Sequence, residues 1–295
     1  MTNTSREGFV PGIPEADYHA GSEVSKSGLD KIAPELGGSP AHYKAAQETP
    51  MTPTPAMALG TALHCALLEP ERFATEYVNT GCNDKRQKAY KEAAETLGDK
   101  ALTARDADWL AGMQAAVWQG DDSNAEAARK LLSMEGDTEL SAFARHEPTG
   151  IVRRCRFDLL TRFDMDGRVF AADIKKTKDA SPAEFAKSVW RYRYHVQAAY
   201  YSDIYYSITG KPLDSYTFIA IEEAPPHAVQ VYAISDEDMA LGRELYIRDL
   251  NLVADCAASG RWPLAPEGAT PTAYNAAPSI LSLEAWMRER QERFL

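Results

Sequence analysis

Residues 150–176 constrain the fold more than any other stretch. "GIVRRCRFDLLTRF" alternates apolar and polar residues, and "RVFAADIKK" resumes the pattern after Asp166–Gly167. Two alternating runs around an Asp-Gly dipeptide predict an antiparallel strand pair. A two-residue turn there sets Met165 opposite Arg168 and Asp158 opposite Lys175. Strand side chains alternate between faces, so Asp173 and Lys175 project together, and cross-strand Asp158 joins them. Asp158 and Asp173 then lie on a diagonal, roughly 7–8 Å apart at Cα. A bulge or a four-residue loop brings them directly opposite.

Carboxylates that close repel, and one takes up a proton unless a cation sits between them. A divalent ion resolves the conflict, and hard oxygen ligands with open positions suit Mg²⁺, with Mn²⁺ able to substitute. Such an ion, with Lys175 orienting or deprotonating a water, is the apparatus for attack on a phosphodiester. The competing reading is a plain Asp–Lys ion pair at a sheet end.

The surrounding pattern predicts a mixed α/β (α+β) chain with a central sheet flanked by helices. Residues 1–24 read as an irregular lead-in, followed by two short helices joined at "GGSP". "MALGTALHCALLEPERF" is a strong helix, with Leu59, Ala62, Leu63, Ala66 and Leu67 at helical spacing. Gly60 lies one turn before His64 on the same side of that helix. Residues 84–133 are helical, and strand character begins near Glu139. Ser181, Pro182 and Glu184 signal a helix start with a capping box, and the helical pattern runs to about 208 with a break near 191. "SYTFIAIEE" and "AVQVYAIS" form a second strand pair, and Ser235 caps a helix ending at Gly260. A last amphipathic helix covers 283–294. One domain is expected over 1–295. Within it, residues 1–135 are mainly helical, 136–260 form a sheet-plus-helix core, and 261–295 are an extension.

No run of about 18 apolar residues suggests a membrane span. The first 21 residues carry no basic-then-apolar leader, so a cytoplasmic protein is expected. Cys65, Cys82, Cys155 and Cys256 are too dispersed for a CxxC clip or a zinc cluster, and read as reduced thiols. The net charge of −11 argues against a nucleic-acid partner, but residues 145–195 carry twelve Arg/Lys against seven Asp/Glu. A locally basic strip on an acidic body can steer DNA into one groove, or can be no more than a solvated face.

The ordered set Gly60-x-x-x-His64, Glu139, Asp158, Asp173-x-Lys175 and Gln197-x-x-x-Tyr201 resembles the PD-(D/E)xK nucleases of the RecB-like type, and within them the RecE-type recombination exonucleases. The stretches "YHAGSEVSKSGLDKI", "SPAHYKAA", "ALGTALHCALLEPERF", "CRFDLLT", "ADIKKT" and "RYRYHVQAAYYSDIY" carry the resemblance, over most of 17–208. It implies a restriction-endonuclease-like core. It also implies that His64, Asp158, Asp173 and the Ile174 carbonyl hold one or two Mg²⁺ ions, that Lys175 serves catalysis, and that Glu139 holds a second ion through water. By the same resemblance Gln197 and Tyr201 steady the site and touch DNA. The implied activity is ATP-independent digestion of linear double-stranded DNA from its ends, 5′→3′, leaving 3′ overhangs for single-strand annealing. The implied partners are a RecT-like annealing protein and copies of the chain in a trimeric or tetrameric ring.

The sequence departs from that pattern at Phe157, where proline is frequent, and at Lys176, where threonine is common. A second cation at 176 can contact phosphate or lower the pKa of Lys175 by repulsion. Lys176, Lys178, Arg191 and Arg193 are the expected phosphate contacts. Trp190, Tyr192 and Tyr194 are either base-stacking platforms or core and subunit contacts. Two other functions compete. One is a same-fold endonuclease, Cas4-like (disfavoured by the dispersed cysteines) or restriction-type. The other is a non-catalytic DNA-end clamp or scaffold for an annealing protein.

Overall fold

The computed structural model describes residues 6–49, 54–162 and 166–265. The helix expected at 283–294 lies outside them. Nine strands are described: β1 (Gly8–Val10), β2 (Val24–Ser25), β3 (Val78–Asn79), β4 (Ala101–Leu102), β5 (Gly136–His146), β6 (Ile151–Thr161), β7 (Phe170–Thr177), β8 (Ser215–Glu222) and β9 (Val229–Ala233). The described α-helices are α1 (Glu15–His19), α2 (Lys26–Leu29), α3 (Pro40–Glu48), α4 (Pro55–Leu68), α5 (Pro70–Glu76), α6 (Lys88–Leu97), α7 (Ala104–Gln119), α8 (Ser123–Leu132), α9 (Pro182–Arg191), α10 (Tyr194–Thr209) and α11 (Asp236–Ser259).

The central sheet is mixed, in the order β1-β5-β6-β7-β8-β9, with β2 pairing beside β6. β7 and β8 run parallel, while β5–β6, β6–β7 and β8–β9 are antiparallel. The lead-in is therefore more ordered than its sequence suggests, because β1 borrows its partner groups from β5 and β2 from β6. The small pair β3–β4 likewise interrupts the expected helical section.

Two apolar layers cover the sheet. On one face Leu63 and Leu67 of α4 and Met113 and Val117 of α7 pack on Leu159, Ala172, Ile174 and Ile219. Burying each such leucine contributes about 1.5–3 kcal/mol, which fixes α4 along the β6–β7 seam. On the other face α10 and α11 lay Val196, Tyr200, Tyr246 and Leu250 against Phe157, Leu160, Ala171 and Phe218. Gly242 lets α11 approach α10, since a Cβ there would sit 2.4 Å from the His195 carbonyl oxygen.

Several local signals act as expected. Ser235 accepts a hydrogen bond from the first turn of α11, and Thr54, which the sequence reading did not mark, does the same for α4. The break near 191 falls between α9 and α10, where Arg193 adopts φ 51°. The capping box at α9 does not form. Ser181 makes no side-chain cap, and Glu184 pairs with Lys187 instead.

Candidate active site at a strand fork

The pairing of β6 with β7 is short. Leu159 faces Ala172 and Leu160 faces Ala171, whereas β7 and β8 stay paired from Phe170–Ser215 to Thr177–Glu222. Eight residues separate Thr161 from Phe170, so the turn is not the two-residue one predicted at Asp166–Gly167. The register is shifted by two, which places Asp158 across from Asp173 rather than Lys175. Beyond that point β6 takes β2 as a neighbour at Arg153 and Arg154. The strands diverge, and the two aspartates stand where the sheet opens.

The carboxylate of Asp158 fills the place of the lost ladder, accepting a hydrogen bond from the Ile174 amide at 2.8 Å. Regular alternation fails here. Leu159 packs in the α4 layer and Phe157 in the α10 layer, although a regular strand would send both the same way. On the facing strand Glu139 interrupts the ladder between Thr138–Leu159 and Leu140–Phe157, with φ 49°. That left-handed conformation costs a non-glycine residue about 1–3 kcal/mol. It turns Glu139, which lies inside β5, toward α4.

Three groups converge on the α4 side. His64 Nδ1 is 3.5 Å from an Asp158 oxygen and 4.0 Å from a Glu139 oxygen. One ligand atom from each of His64, Glu139 and Asp158 lies within 4.8 Å of the others, spacing that a metal ion can bridge. His64 Nε2 is 2.9 Å from the Ile174 carbonyl, which can only accept, so the proton sits on Nε2 and Nδ1 offers its lone pair to the cluster. The Ile174 carbonyl, expected as a metal ligand, is thus engaged in orienting His64. Gly60 faces open space, with nothing within 4 Å of a Cβ built on it.

Asp173 belongs to the other side of the fork. It pairs with Lys175 and accepts from the Gln197 amide, with the Tyr216 hydroxyl 3.1 Å from Oδ2. Its charge still reaches across the opening. Burial and the nearby Asp173 carboxylate push Asp158 up to about 6. Burial and Asp158 push Glu139 up to about 7. Burial opposes the charge of His64, yet Asp158, Asp173 and Glu139 together raise its pKa. Burial also opposes the charge of Lys175, but Asp173, Tyr194 and Asp158 raise its pKa as well. The predicted lowering by Lys176 does not occur, because Lys176 is paired with Glu223.

The Gln197-x-x-x-Tyr201 spacing points inward. Gln197 is buried against Asp173, and the Tyr201 ring meets Phe157 and Tyr216 edge-on at 5.5 and 5.9 Å. Sequence reasoning missed Tyr216 as a partner of Asp173. No local signal marks it, because its position follows from the parallel β7–β8 register. Tyr194, left open between two roles, packs inside: its ring lies 4.7 Å from Lys175 Nζ and stacks on Phe218. Trp190 and Tyr192 are 69% and 52% exposed.

The expected phosphate contacts divide. Lys178 and Arg191 are exposed. Arg193 is not a surface group. It is 1% exposed and bonded to Asp30 and Asp249, because the α9–α10 turn aims it into the core. Lys176 is held by its glutamate. Part of the basic strip is likewise buried or neutralised: Arg153 and Arg154 are buried, and Arg145 and Arg162 pair with Glu7, Glu135 and Asp137.

The donor set fits a hard divalent ion: two carboxylates raised in pKa by burial and by repulsion from neighbouring carboxylates, and an imidazole nitrogen raised by the carboxylates around it. Among the described residues no helix is long and apolar enough to cross a membrane.

Residues 25–271 match the family described as "PDDEXK-like domain of unknown function (DUF3799)". No curated protein sequence matches. A crystal structure from Eubacterium rectale, of a protein with a provisional exonuclease designation, is similar at a TM-score of 0.58 and 13% identity, covering 94% of this chain and 98% of that one. A second structure, SSO0001, overlaps 66% of this chain and 86% of its own at 13% identity, with a TM-score of only 0.29. With 247 of its 295 residues inside the match, this chain belongs to the PDDEXK-like family of that description.

Proposed function

We propose that the chain is a metal-dependent exonuclease that digests linear double-stranded DNA from its ends without ATP. The observation carrying this reading is the convergence of His64, Glu139 and Asp158 beside the Asp173–Lys175 pair at the strand fork. A bound Mg²⁺ or Mn²⁺ would supply Lewis-acid stabilisation of charge on the phosphate. His64, Asp158 and Glu139 are the residues that would hold it, with Asp173 completing the set if it exchanges Lys175 for the ion.

Lys175 keeps its proton near neutral pH because its pKa is raised. It is placed to donate, orienting the attacking water or a phosphate oxygen. Gln197 and Tyr216 fix the Asp173 carboxylate, and the Tyr194 ring limits where the ammonium can move. Lys178 and Arg191 are the candidate phosphate contacts, and exposed Trp190 and Tyr192 suit base stacking.

The 5′→3′ polarity, a ring of three or four subunits and a RecT-like annealing partner belong to the same proposal, supported by the sequence resemblance alone. Incubation with linear and covalently closed duplex, with Mg²⁺ and no ATP, tests the central reading. Progressive loss of linear DNA only is expected. Cleavage of the closed circle would favour a same-fold endonuclease, and binding without any product would favour an end clamp.

A further inference from the structure

Away from the strand fork, a cavity of about 710 Å³ opens between α10, α11 and the ends of β8 and β9. Its volume falls within the range of small-molecule sites, roughly 300–1,000 Å³. At its base lies Arg153 of β6, only 3% exposed. One guanidinium nitrogen donates to the Ser207 hydroxyl at 2.9 Å and another reaches the Tyr246 hydroxyl only at 3.5 Å. Its Nε finds no partner among the described residues, and the Tyr200 ring 6.0 Å away is a weak substitute. The neighbouring carboxylate of Asp203 is already bound by Arg243, at 2.7 and 2.8 Å, and by the Tyr246 hydroxyl at 2.6 Å.

A buried guanidinium without a carboxylate is costly, and a chain that keeps one has a use for it. We propose that this cavity binds a small organic anion, with a carboxylate or phosphate monoester seated on Arg153, which Ser207 orients by accepting from its guanidinium while donating to the Asp203 carbonyl. Leu213, Ile234 and Met239 offer an apolar wall for the body of the ligand, and Tyr206 lies open beside them. Asp214 and Asp236 also line the cavity and disfavour a polyanion, so DNA is not the occupant. His146, in the same lining, is held below its usual pKa by burial and by the charge of Arg153, against the opposing charge of Asp203. Tyr216 links the two sites: it lines this cavity and its hydroxyl lies on Asp173.

The test is calorimetric titration of the full chain in EDTA with benzoate, dAMP and inorganic phosphate, so that no metal at the fork contributes. Saturable binding of benzoate identifies a carboxylate site, and of dAMP a phosphomonoester site. Arg153→Met should weaken the binding by roughly 10- to 100-fold, as expected for loss of a hydrogen bond to a charged group. It should leave the melting temperature unchanged or raised, since an unpaired charge is removed. Ser207→Ala, a milder change, should weaken binding several-fold, and Asp158→Asn should leave it intact whether or not the fork is a nuclease site. Absence of saturable binding by all three probes would overturn the proposal, as would binding that survives both Arg153→Met and Ser207→Ala.

Discussion

His64 of α4 and Ile174 of β7 meet at 2.9 Å, ring nitrogen to carbonyl oxygen. This bond fixes the tautomer, so the lone pair of Nδ1 faces the oxygens of Asp158 and Glu139. A lone pair and two carboxylates facing one another need a cation between them, either a proton or a metal ion.

Metal binding should therefore depend on this trio first. Asp158→Asn and His64→Ala should each abolish the melting-temperature rise that Mn²⁺ gives the wild type. Asp173→Asn should weaken it less, because Asp173 is already compensated by Lys175, Gln197 and Tyr216. An equal loss in all three would mean that Asp173 is a primary ligand.

The same competition sets a pH dependence. Asp158 and Glu139 are raised to about 6 and about 7, above the ordinary carboxylate values they regain on unfolding. Between about pH 4 and 7 the folded chain holds protons that the unfolded chain has released, so stability falls as pH rises through that window. His64, also raised, acts in the same direction and extends the loss upward. Thermal melts in EDTA should show this decline, and saturating Mg²⁺ should flatten it by replacing the protons. A metal-free protein that gains stability from pH 4 to 7 would contradict the assignment.

Lys175→Met should abolish DNA hydrolysis while leaving Mn²⁺ binding within a few-fold of wild type. The pairing with Asp173 places this ammonium beside the trio rather than in it. Undiminished turnover would defeat the role given to Lys175.

Gln197→Ala removes a donor from the buried Asp173 carboxylate. Loss of a group that orients a site residue typically costs 10–100-fold in activity or metal affinity, and about that reduction in kcat is expected, with DNA affinity unchanged. A change confined to KM would instead place Gln197 on the DNA.

Arg193 and Arg191 should behave oppositely, although they are two residues apart. Arg193→Met leaves Asp249, itself fully buried, with Arg248 as its remaining cation, and should lower stability by less than the roughly 3–5 kcal/mol of a fully orphaned buried charge. Arg191→Ala should leave the melting temperature alone and weaken DNA binding, with a shallower salt dependence. Denaturant melts and filter binding at two salt concentrations separate the two effects.

Sequence alone determined much of the element order. The α4 stripe, the cap at Ser235, the break near 191 and the strand pairs are local patterns, and local patterns are written in neighbouring residues. It also named His64, Glu139, Asp158, Asp173 and Lys175 as candidates, the last three by strand alternation and the first two by the family resemblance. Only the tertiary structure decided how they divide. The β6–β7 register slid by two, the left-handed Glu139 turned its carboxylate toward α4, and β2 wedged beside β6 to open the fork. These depend on pairings between residues far apart in the chain, and period-2 alternation cannot foresee a point where a strand changes face. The same limit explains Arg193: its charge suggested a surface, and three carboxylates from distant helices and turns drew it into the core.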